Sequence, residues 1–181
     1  MNTKTNTPRF FVNYHLADES PIAGEWIDGS KDSKTIEEYV YGELNNFPQN
    51  SFISVSDFDN FCGAEDWLIY RYPLGTVVKV AHFILAKGEI GAKWIDCLDG
   101  DVHKALETFD NFYAGCYADL KDFVKEINAD KEIPTWIGDY IKWEKMGKDL
   151  ILNKQIYVVE TDSSKVHVFL NRDLSGCAIA D

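Results

Sequence analysis

TVVKVAHFILAKGEIGAKWIDCLDGDVHKALETFDNFYAGC, residues 76–116, decides the fold class, because its apolar spacing is helical while both flanks mix helix and strand patterns. Val77, Val80, Ala81 and Ile84 predict one helix ending near Gly88, and residues 92–98 predict a second, short one before Asp99-Gly100. Asp101 caps a third, in which Val102, Leu106, Phe109 and Tyr113 share a face and Gly115 ends the run. No strand is predicted here.

On the N-terminal side, residues 9–15 (RFFVNYH) and 24–28 (GEWID) read as neighbouring strands, the second following a Ser20-Pro21 turn signal. Asp32 or Ser33 caps a helix through about Leu44, with Ile36, Val40 and Leu44 on one stripe, and Pro48 stops the chain from continuing it. Strand-like stretches at 52–56 and 67–72 (WLIYRY) flank a loop carrying Asp57, Asp59, Glu65 and Asp66. On the C-terminal side, residues 119–127 predict a helix, Ile133-Pro134-Thr135 opens another with Trp136, Ile137, Tyr140 and Ile141 on one face, and 155–160 with 166–170 predict a hairpin. The tail 173–181 has no periodicity. The expected fold is α+β in three parts: a mixed domain over 7–75, a small helical domain over 76–117 and a mixed domain over 118–175.

The 181 residues hold 30 Asp and Glu against 18 Lys and Arg, a formal net charge of −12 at pH 7. Residues 7–75 carry 12 acids and 4 bases, 76–117 carry 6 and 4, and 118–181 carry 12 and 9, so the excess accompanies the whole fold and peaks in its first third. With 45% hydrophobic residues the chain can bury a core, which separates it from disordered acidic segments. A negative folded surface repels nucleic acid and membrane phosphate and attracts the basic proteins that grip them. No apolar run approaches the roughly 18 residues of a membrane helix, and the polar opening MNTKTNTPR lacks a secretory stretch, so a cytosolic protein is expected.

No nucleotide-loop, nucleophile-elbow or zinc-hydrolase motif occurs, so no catalytic residue is assigned and no cofactor or metal is expected. His15, His82, His103 and His167 are scattered and read as solvent-facing or hydrogen-bonded side chains. Cys62, Cys97, Cys116 and Cys177 form no CxxC pair and read as buried or incidental thiols. Asp57-Phe58-Asp59 and Asp99-Gly100-Asp101 lack the rest of a calcium loop, and solvated loop carboxylates are the simpler reading. A divalent-metal enzyme built on those four aspartates is one alternative function; an acidic adaptor for a basic cytosolic protein is another.

Trp26, Trp67, Trp94, Trp136 and Trp143 lie among acids, which fits core or interface anchors better than a base-stacking platform. The remaining physical possibility is a protein that replaces nucleic acid. Glu37, Glu38 and Glu43 on a helix and Asp57, Asp59, Glu65 and Asp66 in a loop supply carboxylate rows. Asp18, Glu19, Glu25 and Asp28 extend them in the first part, Asp99, Asp101, Glu107 and Asp110 in the middle, and Asp119, Asp122 and Glu126 in the last. Duplex DNA carries one charge per about 1.7 Å, so one chain matches about 20 Å of duplex and two chains about 41 Å. Dimerisation therefore lengthens the array usefully.

In order and spacing from about Pro8 to Phe169, the chain resembles the ArdA antirestriction proteins of plasmids and conjugative transposons. The matching pieces are residues 9–14, 24–28 (GEWID), 55–61 (VSDFDNF), 112–117 (FYAGCY) with the following helix, Ile133-Pro134 with 140–144 (YIKWE), 147–150 (GKDL) and 166–169 (VHVF). The resemblance implies an elongated three-part protein that dimerises through its C-terminal part into a long curved acidic body mimicking bent duplex DNA. Such a body occupies the DNA-binding site of type I restriction-modification enzymes, on their specificity and methyltransferase subunits, and does not itself bind nucleic acid or membrane. It further places the dimer contact near 133–144, giving Ile133, Pro134, Trp136, Ile137, Tyr140 and Trp143 as interface residues, with Lys131, Lys142, Lys145 and Lys148 close by.

Overall fold

A computed structural model of the chain describes residues 7–16, 21–69, 71–161 and 164–171. In chain order, mixed α/β elements at the two ends flank a central helical region. The chain divides into two compact units, Met1–Leu106 and Glu107–Asp181.

The first unit is built on β1 (Arg9–His15), which alternates Phe10, Val12 and Tyr14 into the core with Arg9, Phe11, Asn13 and His15 on the opposite face. β2 (Pro21–Asp28) and β3 (Phe52–Asp59) pair antiparallel on its two sides, giving the order β2-β1-β3. Between them α1 (Ser33–Leu44) starts at Asp32, whose carboxylate accepts the Thr35 N–H at 3.1 Å, and sends Ile36 and Val40 inward. α2 is a single turn (Glu65–Leu68), followed by α3 (Leu74–Lys87), α4 (Glu89–Cys97) and α5 (Val102–Phe112). Gly88, at φ +61°, lets α3 end and α4 begin without an intervening loop. Val77, Val80, Ala81, Trp94, Ile95 and Val102 complete the buried core.

The second unit orders its strands β4-β6-β5, from β4 (Tyr113–Tyr117), β5 (Ile156–Glu160) and β6 (Val166–Leu170), all antiparallel. Phe123 and Val124 of α6 (Leu120–Glu126) meet Ile156 and Val168, and Leu120, Trp143 and Leu150 pack around them. α7 is one turn (Thr135–Gly138), and α8 (Trp143–Leu152) lies so close to α6 that a Cβ at Gly147 would stand 2.6 Å from Leu120 Cγ.

Three expectations change. The described residues of 67–72 form no strand: a short, mostly apolar run has no diagnostic period, and here Leu68 is buried at the end of α2 while the Tyr72 hydroxyl donates to the Gly100 carbonyl at 3.1 Å. The third helix of the middle region stops at Phe112, and Tyr113 begins a strand, because pairing with β6 and the stacking of Tyr113 on Phe109 and Phe169 override local periodicity. The helix expected after Ile133 is a single turn, whereas α8, which the sequence reading missed, is the main helix there. The tail 173–181 lies outside the described residues. Among the described residues no helix is long and apolar enough to cross a membrane.

Gly100 holds φ +78° and its Cα faces the Trp67 ring with no room for a Cβ. Gly100→Ala should therefore destabilise the first unit by about 2–4 kcal/mol in urea unfolding. Gly42→Ala, on α1 with nothing within 4 Å of the added methyl, should instead stabilise by about 0.5–1 kcal/mol.

Candidate functional site

The outward face of the β2-β1-β3 sheet follows from its register. Arg9 sits opposite Asp28 on one side and Asp59 on the other; Phe11 sits between Trp26 and Asp57; Asn13 sits between Gly24 and Ser54. The Arg9 guanidinium pairs with Asp59 at 2.6 Å and lies 5.3 Å from the centre of the Trp26 ring. Phe11 meets Trp26 edge-on at 5.5 Å and covers Gly24, where a Cβ would strike its ring. A bulge in the β1–β3 register brings Ser56 under Asn13: Asn13 Nδ2 donates to Ser56 Oγ at 2.8 Å, and Ser56 Oγ donates to Asp57 Oδ2 at 2.7 Å. Asp57 and Asp59 thus belong to β3 and not to the loop that the sequence suggested.

Most of the anchored carboxylates in the candidate set are held by uncharged donors. Asp28 accepts both the N–H and the hydroxyl of Ser30, at 2.9 and 2.7 Å, and these bonds hold its pKa below the ordinary aspartate value. Glu25 points to the core side of the sheet, opposite Val12, and accepts the Tyr14 and Tyr39 hydroxyls at 2.8 Å each. Burial and then Glu25 push the Tyr14 pKa up; for Tyr39 the bond to Glu25 comes first. Glu65 accepts the Gly63 N–H at 2.9 Å and Glu43 the Asn46 amide at 3.3 Å. Asp101 accepts the Lys104 N–H at 3.0 Å and Asp119 the Asp122 N–H at 2.9 Å, so each caps a helix. Glu126 accepts the Tyr117 hydroxyl at 3.0 Å.

Among the described residues Arg9 pairs with Asp59, and Lys34 stands 3.6 Å from Glu38. Glu37 is half-buried, its carboxylate against Gly75 in the first turn of α3. Asp66, Asp99, Glu107, Asp110 and Asp122 are exposed, while Asp18 and Glu19 lie outside the described residues. Among the described residues no group of three or more His, Cys, Asp or Glu is placed to hold a metal ion. His167 is buried with its Nδ1 3.0 Å from the Tyr113 hydroxyl, and His15 stacks on Phe52.

The residues singled out for a contact between chains separate into two kinds. Trp136 and Tyr140 are 71% and 80% exposed, whereas Trp143 packs on the core of the second unit. Ile133 and Ile137 are half-buried and Pro134 is exposed. Sequence reasoning could not assign Trp143 to the core without α8, whose signal is the i, i+4, i+7 spacing of Trp143, Gly147 and Leu150, with the glycine masking it.

Residues 16–165 match the family model described as Antirestriction protein (ArdA). No curated protein matches the chain.

Burial, followed by the bond to Glu126, pushes the Tyr117 pKa up to about 12. A tyrosine raised in this way contributes stability that is fully present below its unfolded pKa of about 10 and is lost as pH rises through the folded value. Glu126→Gln should bring the Tyr117 titration down toward 10 without abolishing the shift, since burial remains. Tyrosinate absorbance against pH, with Tyr117→Phe to assign the signal, checks it.

Proposed function

This chain belongs to the ArdA family of antirestriction proteins, and from that membership we propose that it acts as a mimic of bent duplex DNA, blocking the DNA-binding site of type I restriction-modification enzymes. One observation carries the reading: carboxylates fixed in place by hydroxyls and backbone N–H groups, which immobilise a charge without cancelling it. A DNA-binding groove arrays Lys and Arg against phosphates at fixed intervals, so a competitor gains by presenting anions already in position. The excess of acids over bases in residues 7–75, 12 against 4, makes the first unit the main contact. The enzyme's specificity and methyltransferase subunits are the partners, and incoming DNA would escape cleavage while they are occupied.

Length requires a second copy. Two chains at −12 each match about 41 Å of duplex, roughly 12 base pairs, whereas one matches half of that. Exposed Trp136 and Tyr140 suit the centre of a contact between copies. Trp136→Glu should convert a dimer to monomers in light scattering; a wild type already monomeric at micromolar concentration would remove this part of the proposal.

Inhibition should arise from the summed field. Replacing one exposed acid, as in Asp66→Asn, should change affinity by no more than about 1 kcal/mol, whereas replacing Glu37, Glu38, Asp57, Asp59, Glu65 and Asp66 together should abolish inhibition in a folded protein. The assay is cleavage by a type I enzyme with increasing amounts of this protein, beside a type II enzyme that should be unaffected. Raising ionic strength from 0.1 M to 1 M shortens the Debye length from about 10 to about 3 Å and should weaken the complex steeply. A single carboxylate whose loss eliminates activity, or a salt-independent affinity, would count against mimicry.

A further inference from the structure

The second unit carries a feature opposite in sign to the rest of the molecule. A cleft of about 730 Å³ is lined by Lys121, Lys125, Lys142, Lys145 and Lys148 against only two acids, Asp139 and Glu144. Glu144 already pairs with Lys148 at 2.7 Å. The unit as a whole is acidic, with 14 acids and 9 bases over residues 107–181, so the lysines are a local reversal of charge.

Their placement is regular. Lys121 and Lys125 stand one turn apart on α6; Lys142 immediately precedes α8, and Lys145 and Lys148 follow within it at three-residue intervals. The two helices are held side by side by the fit of Leu120 over Gly147, so the two rows border one groove, with Trp143 and Ile141 between them. Neighbours within a row are about 5–6 Å apart at Cβ. Alternate side chains of an extended peptide are spaced at about 6.6 Å.

We infer that this cleft docks an acidic peptide segment of another protein, bound extended with carboxylates at alternate positions facing the two lysine rows. A long polyanion such as duplex DNA meets the field of the whole −12 chain, whereas a segment bearing a few charges is governed by groups within a Debye length of about 8 Å. None of the lining residues is buried, and an open groove of this kind suits a chain laid across it better than a small ligand, which needs to be enclosed. Trp143 supplies apolar surface for the stems of the acidic side chains. The inference does not depend on the antirestriction reading.

The probe is a short blocked peptide alternating Glu with Thr, labelled with fluorescein and titrated with the full-length protein in anisotropy at about 0.15 M salt, where the Debye length is about 8 Å. Binding is expected, and Lys121→Glu/Lys142→Glu/Lys145→Glu should weaken it by about tenfold or more, whereas Lys34→Glu/Lys79→Glu/Lys165→Glu, the same change of net charge outside the cleft, should weaken it far less. Carbodiimide coupling of peptide carboxylates to the wild-type protein should map by mass spectrometry to Lys121, Lys125, Lys142 and Lys145, a result that needs no variant to fold. The inference is overturned by absence of binding, by equal loss in both triple variants, by coupling elsewhere, or by tighter binding of duplex DNA or ATP than of the peptide. Dissociation of a dimer by the cleft variant alone would overturn it too, assigning the groove to a contact between copies.

Discussion

Holding like charges still without neutralising them is the constraint on which the rest of this structure depends. A folded chain at −12 works against its own repulsion, and pairing each acid with a lysine would remove both the repulsion and the field. The fold takes a third course. Ser30, Tyr14, Tyr39, Ser56 and the backbone N–H groups of Gly63, Lys104 and Asp122 bind carboxylates as neutral donors. At Asp28 the two bonds from Ser30 fix the side chain and also favour its ionised form, holding its pKa below the ordinary aspartate value.

This arrangement places demands on the scaffold. β1 must pair on both sides, because the outward residues of β2 and β3 reach one another only through it: Arg9 bridges toward Asp59, and Asn13 reaches Asp57 by way of Ser56. The bulge at Phe11/Val12 is part of that solution, since it is the step that puts Ser56 next to Asp57 on the outward side while Val55 stays in the core. Helix caps serve twice in the same way. Asp101 and Asp119 satisfy N–H groups that every helix start leaves open, and both lie exposed at the surface.

What could be read from the residues divides along a physical line. Asp32 and Asp101 were legible as caps, and β1, β2, β5 and β6 as strands, because their causes are local: a side-chain acceptor three positions from its donor, or simple alternation. β4 was not, since what makes Tyr113–Tyr117 a strand is β6, some 50 residues away in sequence. The acids were visible as a count but not as a constellation. Nothing local says that Glu25 faces two tyrosines on the core side, or that Asp57 leans on a serine delivered by a bulge. The exposed Trp136 and the buried side of Trp143 look alike in sequence, and only the packing of α8 tells them apart.

The separation between β4 and its partner also orders events during synthesis. Tyr113 and His167, joined through the tyrosine hydroxyl, are 54 positions apart. At about 5–20 residues per second, β4 leaves the ribosome roughly 3–11 seconds ahead of the strand that covers its edge. All three strands of the first sheet are complete by Asp59. A nascent chain can thus display a finished first sheet while β4 still waits for its only partner strand, and the edge of β4 that β6 covers is open to a chaperone through that interval.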